Sequence, residues 1–174
     1  MQRRKSLLPN ELLPLMIVSN STPLIAFARI GELELLRWIV QHVLVPEAVW
    51  REVTEAGDRP GAEEIRNASW VEVRAVRMVP PELLPLLDRG EAEVIALAEE
   101  LTADEFLLDE QAARAVAVAR GLKIIGSAGL LVRAKQRALI TAVRPFLERM
   151  QIHGICYSRQ FVERLLQQLG EWET

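Results

Sequence analysis

Cysteine is almost missing from this chain, with Cys156 alone among 174 residues. One thiol excludes an intrachain disulfide and a zinc centre built on paired cysteines, and it suits a reducing compartment, so a cytoplasmic location is expected. Histidine is nearly as scarce. His42 and His153 have neither ligand spacing nor a nucleophile close by in sequence, so both read as structural or surface residues. No segment reaches the roughly 18 consecutive apolar residues that a membrane span needs. Arg3, Arg4 and Lys5 ahead of Leu7 and Leu8 loosely suggest an export signal, but Pro9, Asn10, Glu11 and Pro14 break the apolar run. Low-complexity tracts, internal repeats and linkers are also lacking. The expectation is an N-terminal extension over 1–15, disordered or absent from the translated protein, followed by one domain over 16–170.

What is present is half apolar and about a quarter charged, the make-up of a globular protein. The net charge of −3 is small but unevenly spread. Residues 16–110 carry 8 Arg against 19 Asp and Glu, whereas residues 111–174 carry 10 Arg and Lys against 4 Glu. Such segregation suits a protein that gathers carboxylates around cations and offers a basic surface to a polyanion. Two solvated faces without function would read the same way.

Five short apolar runs read as strands: Met16–Val18, Val43–Val45, Trp70–Val73, Glu105–Leu108 and Lys123–Ile125. Between them lie helical patterns at Pro23–Arg29, Glu32–Val40, Glu47–Thr54, Ala62–Ala68, Gly90–Leu101 and Glu110–Arg120. One long helical region is expected over Leu130–Met150, then a short strand at Ile155–Tyr157 and a terminal helix at Arg159–Leu169. Gly57, Asp58, Pro60 and Gly61 mark an exposed loop. The alternation predicts an α/β fold, a parallel sheet covered by helices on both faces. In such sheets ligands bind beyond the carboxyl ends of the strands, so each polar residue that follows a strand becomes a candidate.

The first such place is Ile17-Val18-Ser19-Asn20-Ser21-Thr22-Pro23, where an apolar strand runs into a polar turn. Thr22 is the expected N-cap and Pro23 the first helical residue. Glu91 lies about 50° from the centre of the buried stripe of its helix at 100° per residue, and Glu93 lies on the flank. Asp88-x-x-Glu91 also has capping-box spacing, which alone could explain both residues. Asp109 closes the run Phe106-Leu107-Leu108 and reads either as an N-cap or as a ligand; Glu52 flanks an apolar stripe and reads singly as a rim carboxylate. Together they form a better signal, because divalent metals need several hard oxygen ligands drawn from separate segments. Gly126-Ser127-Ala128-Gly129 has neither the Lys of a Walker loop nor a dinucleotide fingerprint, so Ser127 reads as an N-cap, with phosphate contact as the minor alternative. Trp38, Trp50 and Trp70 are expected in the core and Trp172 as a partner anchor.

With these residues assembled, the chain resembles a PIN-like domain, and more closely the PIN-like proteins often encoded beside small antitoxins. The markers are Val18-Ser19-Asn20-Ser21-Thr22-Pro23-Leu24-Ile25, Val45-Pro46-Glu47-Ala48-Val49-Trp50-Arg51-Glu52-Val53, Asp88-Arg89-Gly90-Glu91-Ala92-Glu93-Val94-Ile95-Ala96-Leu97-Ala98, Leu107-Leu108-Asp109-Glu110 and Ile125-Gly126-Ser127-Ala128-Gly129-Leu130-Leu131. The resemblance implies a three-layer α/β/α sandwich and a carboxylate cluster for Mg²⁺ or Mn²⁺. It also implies cleavage of single-stranded RNA as in VapC-type toxins, a homodimer, and a small antitoxin as partner. By position, Asn20 takes the first acidic place, Glu52 the second, Glu91 or Glu93 the third and Asp109 the fourth, with Glu110 as a further candidate. Ser127, Arg114, Lys123, Arg133, Lys135 and Arg137 are the implied RNA-backbone contacts. Asn20 departs from the acidic pattern. A missing unit charge about 4 Å from a cation forgoes about 4 kcal/mol at an effective dielectric near 20, so one weakly held ion is expected. The alternative function is a nucleic-acid-binding or partner-binding module without turnover.

Overall fold

The computed structural model of the chain describes residues 15–55 and 60–172. All but Leu15 of the expected N-terminal extension, and Gly57 and Asp58 of the expected loop, lie outside the described residues. Five strands, β1 (Ile17–Ser19), β2 (Val43–Pro46), β3 (Val71–Arg74), β4 (Glu105–Leu107) and β5 (Ile124–Ile125), form one sheet in the order β3-β2-β1-β4-β5. Every pairing is parallel. Nine α-helices occur among the described residues: α1 (Ser21–Arg29), α2 (Leu33–Val40), α3 (Glu47–Glu55), α4 (Ala62–Arg66), α5 (Arg89–Leu101), α6 (Gln111–Ala119), α7 (Ser127–Gln136), α8 (Arg144–Ile152) and α9 (Arg159–Gln168).

Each residue of β1, β2 and β4 is buried, which an all-parallel sheet achieves only when helices cover both faces. The result is the expected α/β sandwich. One charged residue sits within these strands: Glu105, 2% exposed, accepts two hydrogen bonds from Arg133 at 2.6 and 2.8 Å and pairs with Lys123 at 2.9 Å. No helix among the described residues is long and apolar enough to cross a membrane.

Several local expectations are corrected. Helix α1 begins at Ser21 rather than Pro23, because the Asn20 side chain accepts the Ser21 N–H and takes the cap expected of Thr22. Pro23 then falls in the first turn, where its missing donor leaves no bond unmade. The long helix expected over Leu130–Met150 is two helices. It breaks after Gln136 at Ala138, which adopts φ +56°, and restarts at Arg144 with Pro145 in the first turn. Glu171 ties that junction together, accepting the N–H groups of Val143 and Arg144 at 2.8 Å each and the Lys135 ammonium at 2.6 Å. Ile155–Tyr157 is irregular, not a strand. Trp50 and Trp70 pack on the core as expected, but Trp38 is 58% exposed and its indole N–H donates to Glu34. Trp172 is used within the chain, packed on the core beneath the Arg144 guanidinium at 5.5 Å.

Candidate functional site

The chain runs β1, β2, β3 toward one edge of the sheet, then returns to lay β4 on the other side of β1. Connections from β1 and β4 therefore leave in opposite directions, and a crevice opens at their carboxyl ends. Asn20 follows β1 directly, and Leu108, Asp109 and Glu110 follow β4. The Asn20 N–H donates to the Leu107 carbonyl and the Leu108 N–H to the Ile125 carbonyl, each at 3.0 Å. The polar residues are thus held by the sheet ladder itself.

Asn20 is buried, with both side-chain polar atoms bonded. Its Oδ1 accepts the Ser21 N–H at 2.8 Å while its Nδ2 donates to Glu110 Oε2 at 3.0 Å. A backbone donor on one side and a carboxylate on the other fix which way the amide faces. It turns its N–H, not its carbonyl, toward the carboxylates. Thr22 Oγ1 donates to the other oxygen of Glu110, so one turn of α1 clamps that side chain from two sides.

Asp109 faces the start of α7. Its Oδ1 accepts the Ser127 N–H at 2.8 Å and its Oδ2 accepts the Ser127 hydroxyl at 2.5 Å. Ser127 is therefore the first helical residue, with Gly126 at the cap position, and Asp109 supplies the capping oxygen from a different strand. Arg114 Nη1 donates to the Leu108 carbonyl at 2.7 Å. A Cβ at Gly126 would stand 2.7 Å from Asp109 Oδ1 and 3.0 Å from Arg114 Nη1, so the absence of a side chain is what lets these groups meet. Burial pushes the Asp109 carboxyl above its ordinary range. The two Ser127 bonds oppose that push, Glu110 adds to it and Arg114 reduces it.

At the start of α5 the capping box is closed: Asp88 Oδ1 accepts the Glu91 N–H at 2.8 Å, and Glu91 Oε2 accepts the Asp88 N–H at 3.1 Å. Among the described residues Glu91 Oε1 is outside this cap. The Glu91 carboxyl is also raised, first by burial, against the Asp88 N–H bond, and further by the charges of Asp88, Glu110 and Glu52. Glu52, exposed on α3, reaches the same place, with Oε2 3.9 Å from where a Cβ of Gly90 would be. Asn20, Glu52, Glu91, Asp109 and Glu110 are thus brought to one edge.

Glu93 is not. It is 7% exposed and caps α3, with Oε2 accepting the Ala48 N–H at 3.2 Å and Oε1 held by Arg89 at 2.9 Å. Of the basic residues that the resemblance implied as RNA contacts, Arg114 stays at the carboxyl edge. Helix α7 starts there and runs away from it, so Arg133 lies about 9 Å farther along than Ser127. Lys123 and Arg133 are held by Glu105, Lys135 by Glu171, and Arg137 donates to the Ile39 carbonyl. Among the described residues no three His, Cys, Asp or Glu side chains converge closely enough to hold a metal ion as they stand. The donors are nonetheless all hard oxygens, and each carboxylate oxygen keeps a further lone pair beyond its hydrogen bond. Two carboxyls are raised partly by their neighbours' negative charge, the imbalance that a cation relieves. By its donor chemistry the set suits a hard divalent cation.

Thr22, Gly126 and Tyr157 were given no site role from the sequence. Tyr157 lies far along the chain, half-buried beside Ser127 and Asp109; burial, then the Asp109 charge, pushes its hydroxyl up, and a bond with Ser127 opposes them. Only the turn position of Thr22 and the glycine pair at Gly126 and Gly129 carried any signal. No curated protein matches the chain. The PIN domain family matches residues 16–171, from the residue before β1 to Glu171. With that span and the parallel sheet opening on a carboxylate edge, the chain belongs to the PIN-domain family, a nuclease-type fold.

Proposed function

We propose that this protein is a metal-dependent ribonuclease that cuts single-stranded RNA, acting as the toxin of a toxin–antitoxin pair in the cytoplasm. The reading is supported by Asp109 and Glu110 following β4 at the switch point of a parallel sheet, and by the charges of Glu110 and Glu52 acting on Glu91. Asp109, Glu91 and Glu110 would hold a single Mg²⁺ or Mn²⁺, with Glu52 at the rim. When bound, such an ion supplies an activated water and stabilises charge on the phosphorane. The protein's own part is orientation. Ser127 sets the Asp109 carboxylate, Asn20 and Thr22 set Glu110, and the Asp88 cap sets Glu91, so each group is in place before substrate arrives. Arg114, beside Asp109, would meet a phosphate. Purified protein should cleave single-stranded RNA in Mg²⁺ or Mn²⁺ but not in EDTA, and Asp109→Asn should lower the rate about a hundredfold or more. Cleavage that survives both EDTA and Asp109→Asn would sink the mechanism.

A second reading, an RNA- or partner-binding module without turnover, draws support from Asn20, which offers the cluster an N–H where a fourth acid would offer charge. Salt-sensitive RNA binding without turnover, unchanged by Asn20→Asp, would favour it. The small antitoxin and the homodimer follow from kinship and are tested by co-purification with the product of a neighbouring small gene and by sedimentation.

A further inference from the structure

Beside Asp109 a cavity of about 630 Å³ opens between β5, the start of α7 and α9. Asp109 and Arg114 line one end, Ile125 the floor, and Tyr157, Phe161 and Leu165 the far wall. Its size falls within the range of small-molecule sites, and one wall belongs to the carboxylate edge itself. Aromatic residues are few here, one Tyr, four Phe and four Trp in the whole chain. Phe27 and Phe106 are spent in the core and Phe146 lies half-buried beneath Arg149. Phe161, 38% exposed, is instead stacked on Tyr157 at the cavity, with ring centroids 5.7 Å apart and planes 27° apart. A lone exposed Phe on a helix would need no explanation. A stacked pair, next to a guanidinium and adjoining the groups proposed to react, has the composition that single-stranded nucleic acid uses, a π-face for the base and a cation for the backbone.

We propose that this cavity receives an unpaired nucleobase of the RNA strand, stacked against Phe161 and Tyr157, while the adjoining phosphate passes Arg114 and Asp109. The inference rests on the ribonuclease reading and adds a reason for a single-stranded substrate, since a paired base enters the cavity only after unpairing and unstacking, at a cost of about a few kcal/mol. The test uses the full chain and a short single-stranded RNA carrying a fluorescent base analogue quenched by stacking. Binding is read in EDTA, and KM and kcat in Mn²⁺. The wild type should quench the analogue at one position. Phe161→Ala should weaken binding or raise KM about tenfold, within the usual effect of one base–aromatic stack, with less change in kcat. Phe161→Trp should keep the wild-type value, which separates a lost π-face from a damaged fold.

If the wild type binds or cleaves RNA but Phe161→Ala does so equally well and no position is quenched, the base site is wrong and the ribonuclease reading stands. A change in sedimentation in place of RNA affinity would assign the cavity to a protein contact and overturn the proposal. RNA neither bound nor cut by the wild type would remove the ribonuclease reading, and this inference with it.

Discussion

Replacing Asn20 by aspartate tests the electrostatics of the carboxyl edge with a change of one group. In the wild type, Nδ2 donates to Glu110 Oε2 at 3.0 Å. Asn20→Asp removes that donor, and a hydrogen bond to a charged group contributes about 1.5–3 kcal/mol. It also sets a second carboxylate against Glu110, and two unit charges about 4 Å apart repel by about 4 kcal/mol at an effective dielectric near 20. Glu110 is partly exposed and Oδ1 can still accept the Ser21 N–H, so solvent and small shifts absorb part of this. The net expectation without divalent ions is a loss of about 2–4 kcal/mol, which for a chain of this size lowers Tm by roughly 5–15 °C. Bound Mn²⁺ should reverse much of it, since an ion at a hundred times its Kd adds about 2.7 kcal/mol. Thermal denaturation of wild type and variant, each in EDTA and in Mn²⁺, reads both effects. Equal Tm for the two proteins in EDTA, or a variant no more responsive to Mn²⁺ than the wild type, would refute the reasoning.

Three further outcomes follow from the same geometry. Gly126→Ala brings a methyl group to 2.7 Å from Asp109 Oδ1, so it should destabilise by about 1–3 kcal/mol, as overpacking does, and reduce cleavage together with it; denaturant titration and a cleavage assay check both. Arg133→Ala leaves buried Glu105 with Lys123 alone and should destabilise by about 3 kcal/mol at neutral pH. Arg133's hydrogen bonds, against burial and with help from Lys123, hold the Glu105 carboxyl below its ordinary 4.5, so that stabilisation is complete above about pH 4.5 and lost as pH falls through the folded value; unfolding curves should show the variant's deficit shrinking in acid. Ala138→Gly relieves a φ of +56° at the end of α7 and should stabilise by roughly 0.5–1 kcal/mol in the same assay.

Strands β1, β2 and β4 were legible in the sequence as short, largely apolar runs covered on both faces, the edge strands β3 and β5 as less buried ones, and Asp109 and Glu110 stood out as the polar residues that follow β4. Glu91 was visible twice over, as half of a capping box and as a carboxylate near a buried stripe, and the structure gives it both positions. Other features depend on partners that no local pattern reveals. The break between α7 and α8 has no glycine or proline at Ala138, and what fixes it is Glu171, from the far end of the chain. Lys123 and Arg133 look like a solvated basic face until the strand order sets buried Glu105 beside them. Asn20 was read correctly as a residue at a strand end, but which end of its amide faces the site follows from Ser21 on one side and Glu110 on the other. Asp109 capping α7 through Ser127 is a contact between two strand ends, beyond any local spacing rule.

The central claim is that the carboxylates at this edge hold a divalent cation. Electron paramagnetic resonance of free Mn²⁺ during titration of the purified protein measures that binding without reference to any substrate. The account predicts one weakly bound ion per chain, with affinity reduced at least tenfold by either Glu91→Gln or Asp109→Asn and increased by Asn20→Asp. Mn²⁺ binding unchanged by all three substitutions, or no binding by the wild type, would contradict it.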